Sequence, residues 1–182
     1  AGARQAVTER RDDIFLSILD LTLPDATETD IVDYTRSEKI PTIVFTGTFD
    51  EDMRDKIFAM DVIDYVTKDT PASVDYLMSL VKRVHRNRTM KALVVDDSKT
   101  TRLVIRRLLE LYQLEVLEAA NGIDALAVLE EHASKSGNGV SLVISDFHMP
   151  EMNGDALIRW VRRQWPRDEL AIIGVSTQGD NN

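Results

Sequence analysis

The stretch VSLVISDFHMP, from Val140 to Pro150, decides the fold. It is a short, mostly apolar run that stops abruptly at Asp146, with a proline close behind. A run of this length between turn signals is typical of a buried parallel strand. Open α/β sheets bind their ligands at the carboxyl ends of the strands, so Asp146 is a candidate functional residue.

The same pattern occurs near the start of the chain, as IFLSILDLTLP from Ile14 to Pro24, where the apolar run stops at Asp20. Strand-like and helical patterns alternate through the rest of the chain. Further strands are predicted at 42–46, 62–67, 91–95, 115–119 and 171–175, and helices at 51–60, 71–85, 100–112, 122–132 and 154–163. This alternation predicts an α/β fold built on a doubly wound parallel sheet.

Two of the predicted helices carry an apolar face. On 71–85 the face comprises Val74, Leu77, Met78 and Val81, and on 100–112 it comprises Leu103, Val104, Leu108 and Leu111. Such spacing is typical of helices that bury one side. We therefore expect both faces to pack against a core.

The composition argues against several classes of protein. The 182 residues are 43% hydrophobic and carry a net charge of −9, which disfavours direct nucleic-acid binding. The absence of cysteine excludes disulfides, thiol catalysis and cysteine-ligated zinc. No apolar run approaches the roughly 20 residues of a membrane helix, and no secretory leader pattern opens the chain. We expect a soluble, cytoplasmic protein that does not act at a membrane.

A pair of adjacent carboxylates follows the strand predicted at 91–95. Asp96 and Asp97 place two like charges together, which is costly unless a cation compensates them. Carboxylates, a carbonyl and several waters are the ligands that Mg²⁺ prefers. Asp146, at another strand end, is the third candidate ligand, and the Ser176 hydroxyl is placed to donate to a group attached to Asp146.

This combination resembles the receiver domain of response regulators in two-component signalling, in which an acidic pair, a DxxMPxxxG motif and a Ser or Thr follow successive strands. DFHMPEMNG, from Asp146 to Gly154, matches the motif in full. The resemblance implies a flavodoxin-like fold and a phosphoryl group transferred to Asp146 from a histidine kinase or histidine phosphotransfer protein. It also implies a Mg²⁺ cofactor held by Asp96, Asp97, Asp146 and the backbone carbonyl of His148, with Ser176 as the switch hydroxyl.

The first half resembles the complementary part of a receiver. The resemblance implies that Asp20 is a second phosphoacceptor and that Thr46 is its switch hydroxyl. Lys68 matches the family's phosphate-pairing lysine, and Tyr65 the aromatic that changes rotamer on activation. The proline that usually follows the lysine is replaced by Asp69.

The sequence thus predicts two receiver domains in tandem, 1–88 and 89–182, each incomplete. The first lacks an acidic pair before it, and the second lacks a lysine strand after it. Three explanations remain open. The chain is trimmed at both ends, or Asp96 and Asp97 complete a permuted site with Asp20, Thr46 and Lys68, or two chains exchange halves as a homodimer.

Three functions compete at this stage. The leading one is a bacterial signalling module that switches an output domain, such as a diguanylate cyclase, outside these residues. It would catalyse only its own phosphorylation and dephosphorylation. The second is a phosphorylation-independent scaffold. The third is a phosphatase of the haloacid-dehalogenase type, which the sequence disfavours because Thr22 and His148 stand where that class needs a second Asp.

Overall fold

The computed structural model describes residues 2–21, 29–47, 50–132 and 139–175. The chain divides into two compact units, Ala1–His85 and Arg86–Asn182. Within the described ranges, no helix is both long enough and apolar enough to cross a lipid bilayer.

The first unit is a three-stranded parallel sheet with helices. Its strands are β1 Ser17–Leu19, β2 Thr42–Thr46 and β3 Asp64–Thr67, hydrogen-bonded in the order β1-β2-β3. Its helices are α1 Gly2–Arg10, α2 Asp30–Ser37, α3 Glu51–Phe58 and α4 Pro71–Asn87, the last of which ends just inside the second unit. The core lies between the sheet and the helices and comprises Leu21, Ile31, Val32, Val44, Ile57, Val62 and Tyr65.

The first strand is shorter than the sequence predicts. Residues 11–13 form a 3-10 turn, and the Ile14 amide donates to the Arg11 carbonyl at 3.2 Å. The ring of Phe15 packs edge-on against His85, with 5.4 Å between ring centroids. These contacts hold the chain out of the sheet until Ser17, where pairing with Thr42 begins.

The second unit is a four-stranded parallel sheet with helices. Its strands are β4 Lys91–Val95, β5 Glu115–Ala119, β6 Val140–Asp146 and β7 Ala171–Val175, in the order β5-β4-β6-β7. Its helices are α5 Lys99–Leu111, α6 Gly122–Glu131 and α7 Gly154–Gln164. Strand β4 lies between β5 and β6, and its residues Ala92 to Val95 are fully buried, which explains the apolar sequence after Lys91.

The core of the second unit comprises Leu93, Val95, Ala119, Ala125, Leu129, Val143, Met149, Leu157, Val161 and Leu170. The α/β class and the parallel sheets are therefore as predicted. The strand order, with the first strand of the unit inside and the chain continuing on either side of it, is that of a doubly wound sheet.

The predicted inward faces of two helices are only partly correct. On α5, Leu103, Val104 and Leu108 are more than half exposed, while Leu111 is half-buried as are Ile105 and Leu109. The helix is rotated relative to its apolar stripe, and no described element of the unit covers the stripe.

A similar rotation affects α4, where Val74 and Met78 are about half exposed. Leu77 is buried as predicted, and the other buried residues of that helix are Leu80, Val84 and Asn87. Hydrophobic spacing identified an apolar side of each helix but not the side that meets the sheet.

Candidate functional site

Two carboxylate residues lie side by side where adjacent strands of the second unit end. Val95 of β4 is level with Ser145 of β6, so Asp96 directly follows one strand at the level where Asp146 ends the other. Their residues are only 5% and 8% exposed, whereas Asp97 is exposed. The parallel sheet therefore brings two acidic groups from distant parts of the sequence to one buried edge.

The environment of Asp96 is electrostatically unfavourable for a carboxylate. Burial raises the pKa of Asp96 above its ordinary value, and repulsion from Asp146 and from Asp97 raises this pKa further. The backbone amide of Ser98 and the guanidinium of Arg102 oppose the shift only in part. The positive charge near Asp96 therefore does not fully compensate its ionised form.

Each buried carboxylate accepts a local backbone hydrogen bond. Asp96 Oδ1 accepts from the Ser98 amide at 2.8 Å, and Asp146 Oδ1 accepts from the Phe147 amide at 2.8 Å. Among the residues that the structure describes, no three His, Asp or Glu side chains converge closely enough to hold a metal ion by themselves.

The donor chemistry nevertheless fits a small divalent cation better than any other group. Asp96 and Asp146 are buried carboxylates without a lysine or arginine partner in an ion pair among the described contacts, and Asp97 adds a third charge at the rim. Mg²⁺ is bound through one or two protein carboxylates, with waters and phosphate oxygens completing its shell. A cation placed here would relieve the repulsion that raises the Asp96 pKa.

The loop after Asp146 is held tightly against the end of β6. The Gly154 amide donates to the Phe147 carbonyl at 3.2 Å, and a Cβ on Gly154 would overlap the Asp146 carbonyl oxygen. Glu151 adopts the left-handed conformation with φ of 62°, and Met149 is buried in the core. The spacing between Asp, Met-Pro and Gly in this motif therefore reflects a compact turn in which only glycine fits at its end.

The predicted partners of Asp146 differ in how they are placed. His148 is exposed, two residues into the turn. Ser176 lies outside the described residues, but β7 ends at Val175, which pairs with Asp146 in the sheet. The Phe147 ring occupies the space over Gly174, where a Cβ would overlap it.

In the first unit, three predicted site residues meet at the carboxyl ends of the strands. The ammonium of Lys68 pairs with Asp20 Oδ2 at 2.5 Å and lies 5.3 Å from the centroid of the Phe45 ring. The Lys68 amide donates to the carbonyl of Thr46 at 2.8 Å. Asp20, Thr46 and Lys68 are thus neighbours, as the resemblance implied.

The remaining residues of the first unit occupy other positions. Thr46 is buried, and Tyr65 is 9% exposed and belongs to the hydrophobic core. Asp69, which replaces the usual proline, accepts a hydrogen bond from the Thr67 hydroxyl at 2.5 Å. Thr22 lies outside the described residues. Asp20, Thr46 and Lys68 belong to one unit and the acidic pair to the other, so the permuted site stays a prediction.

Sequence reasoning missed Arg102, a residue of α5 that contacts the acidic pair. Its Nη1 donates to the carbonyl of Asp96 at 2.6 Å, and its Nε pairs with Glu118 at 3.1 Å. An isolated arginine on an amphipathic helix resembles any solvated residue. No signal in one sequence distinguishes it from Arg106 or Arg107 nearby.

Comparisons with known proteins point to one family. The model of the response regulator receiver domain matches residues 92–182. A CheY homolog of Campylobacter jejuni is 41% identical over 91 residues, which are 50% of this chain and 66% of that protein, just under two thirds of its length. The chemotaxis protein CheY1 of Helicobacter pylori is also 41% identical over 91 residues, which are 69% of its length.

Two solved structures resemble nearly the whole chain. Both are described as two-component system response regulator/GGDEF domain proteins, with TM-scores of 0.83. One is 34% identical, and the match covers 98% of this chain and 72% of that one. The other is 35% identical, and the match covers 97% of this chain and 71% of that one.

Proposed function

Because the chain belongs to the response regulator receiver family, whose model matches residues 92–182, we propose that it is a signalling module phosphorylated on Asp146. The observation that carries the proposal is the burial of Asp146 beside Asp96 at the ends of adjacent parallel strands. An unpaired carboxylate in that position is costly, and a phosphoacceptor with a cation partner accounts for it.

The proposed reaction is phosphoryl transfer to a carboxylate nucleophile. An oxygen of ionised Asp146 bonds to the phosphorus of a phosphohistidine on a histidine kinase or phosphotransfer protein. The phosphorus–nitrogen bond breaks, and its electron pair stays on the imidazole nitrogen of the donor. The tight turn from Phe147 to Gly154 fixes the backbone of Asp146 and so limits the directions from which the donor approaches.

Asp96, Asp97, Asp146 and the carbonyl of His148 are the proposed ligands of Mg²⁺. When bound, the ion supplies positive charge to the phosphoryl oxygens during transfer. Ser176 is the proposed switch hydroxyl, because in the sequence it directly follows Val175, which pairs with Asp146.

The first unit is proposed to be a second receiver, with residues 1–88 and 89–182 forming two domains. Asp20 is its proposed phosphoacceptor, Lys68 its phosphate partner, Thr46 its switch hydroxyl and Tyr65 its rotamer switch. The pairing of Lys68 with Asp20 supports this assignment, because it places the lysine at the proposed acceptor.

An output domain is proposed to act beyond these two units. The two solved structures that resemble nearly the whole chain are response regulator/GGDEF domain proteins. A diguanylate cyclase is therefore the proposed output, and phosphorylation of Asp146 would shift its activity by changing the population of receiver conformations.

A scaffold role is the second candidate, and one observation favours it for the first unit. The Asp20 carboxylate is already compensated by Lys68, and the first unit provides no acidic pair beside it among its described residues. Phosphate on Asp146 but never on Asp20 would support that division of roles.

The proposal is tested by treating the full chain with acetyl phosphate and MgCl₂ and measuring the intact mass. Wild type, Asp146→Asn and Asp20→Asn are compared, each with a matched sample in which EDTA replaces MgCl₂. We expect a phosphoryl adduct on Asp146 that requires Mg²⁺ and is lost in Asp146→Asn, so that any adduct left in this variant is carried by Asp20.

The Asp20→Asn variant is the matched control, because it changes the equivalent residue of the other unit. It should keep the adduct on Asp146. An adduct of equal yield in Asp146→Asn and in wild type would overturn the assignment of Asp146.

A further inference from the structure

One arginine links the acidic loop of the second unit to a neighbouring strand. Arg102 Nη1 donates to the carbonyl of Asp96 at 2.6 Å and, more weakly, to that of Asp97 at 3.4 Å. From the same planar guanidinium, Nε donates to Glu118 Oε2 on β5 at 3.1 Å. The side chain is only 15% exposed, so these contacts are made largely away from solvent.

The position of Arg102 in its helix is unfavourable for a cation. It lies in the N-terminal part of α5, which is capped by the Ser98 hydroxyl. The helix dipole disfavours a cation at that end. Long helical side chains point back toward the N-terminus, and here that direction leads to the acidic loop. The carbonyls and Glu118 therefore compensate a charge that the helix alone disfavours.

Arg106, one turn later, provides the contrast within the same chain. It pairs with the other oxygen of Glu118 at 3.0 Å and with Glu110 at 2.7 Å. Among the described contacts, it makes none to Asp96 or Asp97. Both arginines thus share Glu118, but only Arg102 reaches the loop that carries the acidic pair.

We infer that Arg102 is a positioning residue for the Mg²⁺ site, fixing the peptide groups of Asp96 and Asp97 against β5 so that their carboxylates face Asp146. The inference rests on the proposed function. Two carbonyls held by one rigid guanidinium lose their freedom to rotate, and the side chains attached beside them are oriented with them. The cation site is then formed in advance of binding rather than assembled at a cost.

A charge effect is the competing explanation. A guanidinium near an acidic pair would weaken Mg²⁺ binding by repulsion, so removing it would strengthen binding. Positioning predicts the opposite sign. The two explanations therefore differ in the direction of the change, and the measurement of Mg²⁺ affinity separates them.

The test is calorimetric titration of MgCl₂ into the full chain, for wild type, Arg102→Met, Arg102→Lys and Arg106→Met, with the melting temperature of each recorded. We expect Arg102→Met to weaken Mg²⁺ binding by about 10-fold, as is typical for groups that orient metal ligands. Arg106→Met, which also loses a contact to Glu118, should stay within about two-fold of wild type. Arg102→Lys keeps the charge without the planar fork and should weaken binding several-fold.

Each outcome bears on a different claim. Equal affinities of Arg102→Met and Arg106→Met, tighter binding by Arg102→Met, or full affinity of Arg102→Lys would overturn the positioning role. If Arg102→Met does not fold, the Mg²⁺ affinity of Arg102→Lys is compared with that of wild type, and this comparison decides the question. Failure of wild type itself to bind Mg²⁺ would instead overturn the proposed function on which the inference rests.

Discussion

Asp96 occupies a position in which its charge destabilises the metal-free fold. Its pKa is raised by burial and by repulsion from Asp146 and Asp97. We expect Asp96→Asn to increase the free energy of unfolding in EDTA at neutral pH by about 1 kcal/mol, because it removes the buried charge and keeps the shape. Urea unfolding measures the change. A loss of stability in Asp96→Asn would contradict this account of the site.

The pH dependence follows from the direction of the same shift. Because the folded-state pKa of Asp96 lies above its unfolded value, the native state holds the proton more tightly. Stability from this group is full below the ordinary carboxyl pKa of about 4 and is lost as the pH rises through the raised value. In EDTA, the free energy of unfolding of Asp96→Asn should fall less than that of wild type as the pH rises. With saturating Mg²⁺, wild type should instead be the more stable of the two proteins.

Gly154 ends the turn that holds Asp146, and it has no room for a side chain. We expect Gly154→Ala to lower the free energy of unfolding by about 3 kcal/mol, since its Cβ would overlap the Asp146 carbonyl and backbone cannot move aside cheaply. Gly47→Ala is the matched control, because no atom of the described residues lies within 4 Å of a Cβ there. Equal effects of the two substitutions on stability, measured by thermal or urea unfolding, would contradict the steric explanation for Gly154.

At the scale of single elements, α3 allows a clean test of capping. Two aspartates, Asp50 and Asp52, lie at the start of this helix. In the structure, Asp50 Oδ1 accepts from the Met53 amide at 2.8 Å, and Asp52 lies within the first turn. We expect Asp50→Ala to cost about 1 kcal/mol of stability in the first unit and Asp52→Ala clearly less. The reverse order in urea unfolding would show that the cap is elsewhere.

Strand positions in the second unit could be predicted from the sequence because of how these strands are buried. Lys91–Val95 and Val140–Asp146 have the predicted bounds, since a strand covered on both faces is a short apolar run that ends where polar loops begin. The predicted strand from Ile14 was too long, because a 3-10 turn and a ring contact compete for its first residues. The periodicity of a sequence does not indicate such competing contacts.

The candidate site could be predicted only in part. Asp96 and Asp146 were found because acidic residues at strand ends meet when the strands are parallel neighbours. The exposed stripe of Leu103, Val104 and Leu108 was misassigned, because spacing defines a face but not its neighbour. Arg102 was missed, because it contacts backbone carbonyls. Every residue has a backbone carbonyl, so the sequence does not indicate which of them accept such a bond.

At the scale of the whole molecule, the chain comprises two compact units with separate hydrophobic cores. The resemblance to receivers is confirmed by the family match over residues 92–182. The receiver domain at 1–88 stays a prediction, supported by the pairing of Lys68 with Asp20. The acidic residues at the strand ends have different surroundings in the two units, since Asp20 pairs with Lys68 whereas Asp96 and Asp146 are buried beside each other.

The central claim is that Asp146 receives the phosphoryl group, and peptide mapping of the labelled, unsubstituted chain tests it most directly. The chain is incubated with acetyl phosphate and MgCl₂, digested at acidic pH to preserve the acyl phosphate, and sequenced by tandem mass spectrometry. We predict a phosphate on Asp146 in the peptide that contains β6 and the following turn. A folded chain whose phosphate maps to other aspartates, with Asp146 unmodified, would contradict the account.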